Sequence, residues 1–228
     1  MISKSVVNGT GLIIGNNVKF FGKVCIGANC TIEDNVIIGH PIQNDIDEFR
    51  KKQGKYDFVS YENLNESIST KITIGDNCTI RNGSIIYTGV VIGKNVICSH
   101  NVIIREGSSV GNNTYIKNNA EIFTDVLIGD ECRIAGIVSD RVRIGNNVSS
   151  LGVLIHSYRN PVGGLKEPAP VLKDRCVVGR NAIIIGDVEI GEGAYIAAGA
   201  IVTKDVVPNK LIKSSVATII HDNDLSSS

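Results

Sequence analysis

A branched aliphatic residue returns every six positions along most of this 228-residue chain. Few folds accept that period. The units read IGNNVK at Ile14, FFGKVC at Phe20, IGANCT at Ile26 and IEDNVI at Ile32; after a break they resume with IGDNCT at Ile74 and IRNGSI at Ile80, and continue to IGDECR at Ile128. A helix wants apolar residues three and four apart, and a simple strand wants alternation. A β-branched residue followed by a pair rich in Gly, Asn and Asp suits a short strand and a tight turn. Three such units make one triangular coil of 18 residues, and the strongest pairs, at Ile74, Ile92, Val110 and Ile128, recur at that spacing. The expected fold is all-β: a parallel β-helix of stacked triangular coils burying an aliphatic ladder.

Composition agrees. Hydrophobic residues make up 43% of the chain but aromatics only 5%, with no Trp, so the core is narrow and built from Ile, Val and small residues. Lys plus Arg equals Asp plus Glu, which argues against a nucleic-acid or acidic-membrane partner. The start, MISKSVVNG, lacks a signal peptide's apolar run, and no stretch has the length of a membrane span, so a cytoplasmic location is expected. Of six cysteines, Cys30, Cys78, Cys132 and Cys176 fall at the fifth hexad position, without a CxxC pair; they read as small buried hydrophobes.

The rhythm breaks in three places. An insertion over 40–71 carries charges and aromatics unlike its surroundings, and is expected to project outside the coils. Ile128 and Ile144 are 16 residues apart rather than 18, which puts a two-residue deletion near Val138 to Arg141. The third break is a loop over 156–171 with three prolines, opened by His156 and followed by LKDRCV, VGRNAI, IIGDVE, IGEGAY, IAAGAI and VTKDVV.

These units, from Ile14 to Val206, resemble the hexapeptide-repeat acyltransferase superfamily. The resemblance implies left-handed crossovers, against the usual rule, and parallel homotrimers with active sites between subunits. It divides the chain into a β-helix over 1–206 and a C-terminal tail over 207–228.

Acyl transfer from a thioester needs a group to take the acceptor's proton, an anchored donor, and hydrogen-bond donors for the developing oxyanion. Histidine is the natural base near neutral pH, and the chain has four: His40, His100, His156 and His221. The segment IHSYRNP, followed by EPAPVLKD and VVGRNAIIIGDVEIGEGAYIAAGAIVTKDV, is similar to the terminal region of the sugar O-acetyltransferases, where a histidine base opens a comparable loop. The similarity implies His156 as catalytic base and acetyl-CoA, or another acyl-CoA, along the last coils. Arg180, Ala198, Thr203 and Lys204 match donor-contacting positions. The implied acceptor is a sugar or nucleotide-linked amino sugar of surface-polysaccharide biosynthesis.

A second polar set, Ser84, Tyr87, His100 and Glu106, lies in RNGSIIYTG and SHNVIIRE, text similar to that of sugar-modifying relatives. With Tyr158 and Arg159 it makes the acceptor-binding candidates, and His100 is the alternative base. Two rival classes share the fold. A hydratase resembling the γ-class carbonic anhydrases would hold metal through three histidines, two close in sequence; here they are at least 55 residues apart, and no metal is expected. A non-catalytic scaffold would need no polar loop.

Overall fold

The computed structural model describes residues 6–53, 63–64, 68, 70–157 and 167–214. The chain winds as a left-handed parallel β-helix. Three parallel sheets of nine, ten and nine strands form the sides of a prism. Each strand of two to four residues pairs with those one coil before and after, as in the run Val91, Ser109 and Leu127 of the first sheet. Alternate residues of each strand point inward. Ile74, Ile92, Val110, Ile128 and Ile144 stack in one buried column, and Ile86, Ile104, Ile122, Val138 and Leu154 in another. Fully burying one such side chain contributes about 1.5–3 kcal/mol.

The corners are as regular as the sides. At the edge joining the first and second sheets, the third corner residue takes a left-handed backbone, which asparagine tolerates better than most residues. Asn29, Asn77, Asn95 and Asn113 all do so, with φ between 55° and 57°. Their side-chain amides link in series, Asn29 to Asn77 at 3.4 Å, Asn77 to Asn95 at 3.1 Å and Asn95 to Asn113 at 2.9 Å.

The fifth hexad position does more than fill space. Its cysteines are buried as expected, but they also donate: Cys30 Sγ to Gly75 O at 3.1 Å, Cys78 Sγ to Gly93 O at 3.0 Å, and Cys132 Sγ to Gly145 O at 3.1 Å. The Thr114, Ser84 and Ser108 hydroxyls donate in the same way to the next coil, and each accepts from that coil's backbone N–H. These side chains staple one corner to the next. Burial pushes the Cys78 and Cys132 thiols up to about 11 and Cys176 to about 12, so they stay protonated and able to donate.

The shortened coil is not shortened where the spacing suggests. Residues 139–142 form a full four-residue corner, with Arg141 in the left-handed region at φ 64°. The two missing residues belong to the preceding corner, which consists of Ala135 and Gly136 alone. The next corner at that edge, Leu151–Gly152, is equally tight. Glycine is required at both: a Cβ on Gly136 would lie 2.3 Å from Gly152 O, and one on Gly152 would lie 2.4 Å from Ala182 O. Beyond residue 206 the stack continues, because Leu211–Ile212 pairs with Tyr195–Ile196.

The insertion leaves the coil after His40 and forms helix α1, Gln43–Gln53. The Asp45 carboxylate accepts from the Ile42 N–H at 2.9 Å as the helix begins, and acidic groups are favoured there. Phe21, Phe49, Leu64 and Ile68 are buried away from the central columns. Ile68 lies over Gly22, close enough that a Cβ there would meet it at 2.5 Å.

Candidate active site

Both excursions leave from the same edge, the one where the third sheet turns into the first. Along it, in axial order, come the insertion after His40, the corners 88–90, 105–108, 123–126 and 139–142, the His156 loop, and the corners 186–188 and 203–205. The two excursions therefore bracket one strip of surface, four corners long.

His156 follows the strand Val153–Ile155 directly. It is only 8% exposed and Ser157 only 9%, so the imidazole sits at the root of the loop. The Ser157 N–H donates to Pro168 O at 3.0 Å and closes the loop's neck. Arg141, one corner below, donates through its guanidinium to Glu167 O. Thr203 and Lys204 share this edge, two coils beyond His156, or about 10 Å along the axis. Arg180 and Ala198 are exposed on the edge between the second and third sheets. The four donor-binding candidates thus flank the last strands of the third sheet, two on each side. Tyr158 and Arg159 lie outside the described residues.

The second polar set does not come together. Ser84 is buried and serves as a staple, donating to Ser99 O at 2.9 Å. His100 lies on the edge between the second and third sheets, its Nδ1 4.0 Å from Glu33 Oε2. Glu33 also accepts from Arg81 Nη1 at 2.9 Å and from the Asn82 N–H at 3.1 Å. His100 and His156 are three coils apart, about 14 Å along the axis, and on different edges.

Tyr87 and Glu106 do face the strip below His156, joined by a residue the sequence reading passed over. The Arg105 guanidinium lies 4.6 Å from the Tyr87 ring centroid and grips Glu106 at 2.7 and 2.9 Å. His40 packs against Tyr87 with the rings tilted by 40° and centroids 4.7 Å apart, and the Thr124 hydroxyl donates to Glu106 at 3.2 Å. Burial pushes the Glu106 carboxyl up, but the hydrogen bonds from Arg105 outweigh it and hold the group below the usual carboxylate range. The signal was present: Tyr87 and Arg105 are one coil apart in sequence, as are Glu106 and Thr124. Among the described residues no group of three His, Cys, Asp or Glu could hold a metal ion, and no helix is long and apolar enough to cross a membrane.

Two family models match coils of the prism, one over the lower part of this strip and one beyond the His156 loop. Residues 169–204 match the bacterial transferase hexapeptide (six repeats), and 69–88 and 88–118 the hexapeptide repeat of succinyl-transferase. Across these coils the chain is similar to hexapeptide-repeat transferases. Similarity extends to the bifunctional protein GlmU of a Geobacillus species, 30% identical over 174 residues, covering 63% of this chain and 38% of that protein. The GlmU of Thermodesulfovibrio yellowstonii is 29% identical over 211 residues, covering 92% and 39%. A Schizosaccharomyces pombe protein provisionally named a serine acetyltransferase is 36% identical over 96 residues, covering 42% and 33%. The chain thus spans about two-fifths or less of the length of these relatives. Among solved structures, LpxA from Acinetobacter baumannii superposes with a TM-score of 0.52 at 17% identity, covering 94% of this chain and 69% of that one, a likeness of fold alone.

Proposed function

We propose that this protein transfers an acyl group, most simply acetyl, from coenzyme A to a sugar or nucleotide-linked sugar, with His156 as general base. The observation that carries the reading is the placement of His156. It is held at the root of a clamped loop, on the edge it shares with Thr203 and Lys204 above and with Tyr87, Arg105 and Glu106 below. The name of the fission-yeast relative, an acetyltransferase, supports the donor.

In this mechanism His156 takes the proton of the acceptor hydroxyl or amine as that atom attacks the thioester carbonyl. The C–S bond then breaks, and the imidazolium returns the proton to the departing thiolate. Backbone N–H groups of the last coils steady the oxyanion. Lys204 meets phosphate as a point charge, together with Arg180, while Ala198 leaves room for the pantetheine beside Thr203. The acceptor lies along the strip towards the insertion, as part of cytoplasmic surface-polysaccharide assembly.

A homotrimer completes the reading. The outward face of the third sheet carries Ile137, Ile185 and Ile201, all exposed. An apolar ladder on a flat prism side suits contact with another copy.

The test is thiol release from acetyl-CoA across free and nucleotide-linked sugars. His156→Ala is expected to lower turnover by about 10²–10⁴-fold. If that variant keeps wild-type turnover while His100→Ala abolishes it, the base has been misassigned. Binding without turnover on any acceptor would favour the scaffold reading.

A further inference from the structure

A cavity of about 450 Å³ opens on the second sheet, lined by Asn113, Tyr115, Lys117, Glu131, Cys132 and Arg133. It lies on the side of the prism opposite the edge that carries His156, and the acyl-transfer reading makes no use of it.

Its charges are out of keeping with the sheet around it. The ten strands of that sheet present Ile13, Thr31, Thr79, Ile97, Tyr115, Arg133, Ser149, Val177, Tyr195 and Leu211 at one outward register. Arg133 is the only charged member. It neighbours Tyr115 directly across the ladder. From the following corner Lys117 folds back over the same ring, with Nζ 5.0 Å from its centroid. Lys117 and Arg133 therefore line the cavity on the two sides of one tyrosine's ladder position, and among the described residues neither has a carboxylate within ion-pair distance. With two cations and one carboxylate, Glu131, the lining carries a net positive charge, which favours an anion placed beside the cations.

The ring itself is fixed. Ser99, which is 1% exposed, meets the Tyr115 hydroxyl with its own at 3.0 Å. That contact orients the tyrosine from beneath. The cavity wall is completed by Asn113, able to donate and accept, and by Glu131, an acceptor held in a left-handed corner at φ 60°.

We infer that this cavity is a second binding site, for a phosphorylated sugar. The phosphate sits between Lys117 and Arg133, the apolar side of the sugar ring lies on Tyr115, and its hydroxyls meet Asn113 and Glu131. The volume falls in the range of small-molecule sites. A nucleic-acid strand is disfavoured by Glu131 and by the lack of further cations along the sheet. The inference does not depend on His156, because the two sites face different sides of the prism.

Calorimetric titration of the full chain with glucose 1-phosphate tests it, with inorganic phosphate and glucose as separate arms. Saturable binding of the sugar phosphate is expected, at least about tenfold tighter than either arm. Arg133→Gln and Lys117→Gln should each weaken it by about tenfold or more, with unchanged affinity for acetyl-CoA and unchanged melting temperature. No saturable binding to the wild type, or equal binding by Arg133→Gln, overturns the site. Phosphate binding as tightly as the sugar phosphate overturns the sugar component.

Discussion

Arg141 donates from both Nε and Nη2 to a single acceptor, the carbonyl oxygen of Glu167, at 3.1 and 2.9 Å. It does so from a left-handed backbone that three other corners of the same edge assign to Gly89, Gly107 and Asp125. A non-glycine residue there costs about 1 kcal/mol, so the side chain is retained against a local preference. What it fastens is the returning end of the His156 loop.

Arg141 is therefore expected to position the base. Arg141→Ala should lower kcat by about ten- to a hundredfold, the scale on which small misplacements act, with KM for acetyl-CoA unchanged. In a His156→Ala background the same change should cost nothing further if Arg141 acts through the proposed base. Additive losses in steady-state kinetics of the double variant would mean that Arg141 acts on stability alone.

Stapling hydroxyls and an idle one should respond oppositely to deletion. The Ser108 hydroxyl donates to Phe123 O at 2.7 Å and accepts from the Val126 N–H at 3.1 Å. Ser108→Ala leaves both backbone groups buried and unpaired, at a cost of about 1–3 kcal/mol. Ser150 occupies a position in the second sheet's inward column, between Ile134 and Val178, and among the described residues its buried hydroxyl has no partner. Ser150→Ala should be neutral or stabilising. Denaturant unfolding of the two variants side by side decides the matter.

Acid should loosen the strip below His156 before the rest of the coil. The Glu106 carboxyl is held below its ordinary range in the folded protein, so the native state binds fewer protons than the unfolded chain. Its contribution is present above the unfolded value of about 4.3 and is lost as pH falls through the lower folded value. Glu106→Gln should thus destabilise by ~1 kcal/mol near neutrality, a modest figure because Arg105 is partly exposed. The difference should vanish in strong acid. Melting temperatures of the two proteins compared from neutral pH downward give the curve.

Disrupting the apolar side should change assembly without changing the coil. Ile137→Glu places a second carboxylate directly beside Glu121 on the third sheet's exposed face. Sedimentation is expected to show a shift to monomer while the circular dichroism stays the same. A variant that sediments like the wild type removes this face from the interface.

The fold was legible because every coil repeats the same instructions. Ile74, Ile92, Val110 and Ile128 announce the 18-residue turn, and Asn77, Asn95 and Asn113 announce its corners. The site was legible only in part. His156 stands out by its loop, but the cluster around Tyr87 requires knowing which corner each residue occupies. Counting by 18 joins Tyr87 to Arg105 and Glu106 to Thr124, but it fails across the insertion that separates His40 from Tyr87. The cysteines show the same limit. Their burial follows from their place in the hexad, whereas the carbonyl that Cys30 caps belongs to Gly75, on the far side of the insertion.

Because both excursions spring from one edge, the prism works as a ruler between them. Four corners separate the insertion from the His156 loop, and each is a graduation of about 4.8 Å. The interval can be lengthened or shortened only in whole graduations, since a partial coil would turn one excursion onto a different side. A molecule spanning both must therefore match a quantised length, and a homologue with one coil more or fewer would measure a different molecule with the same chemistry at its end.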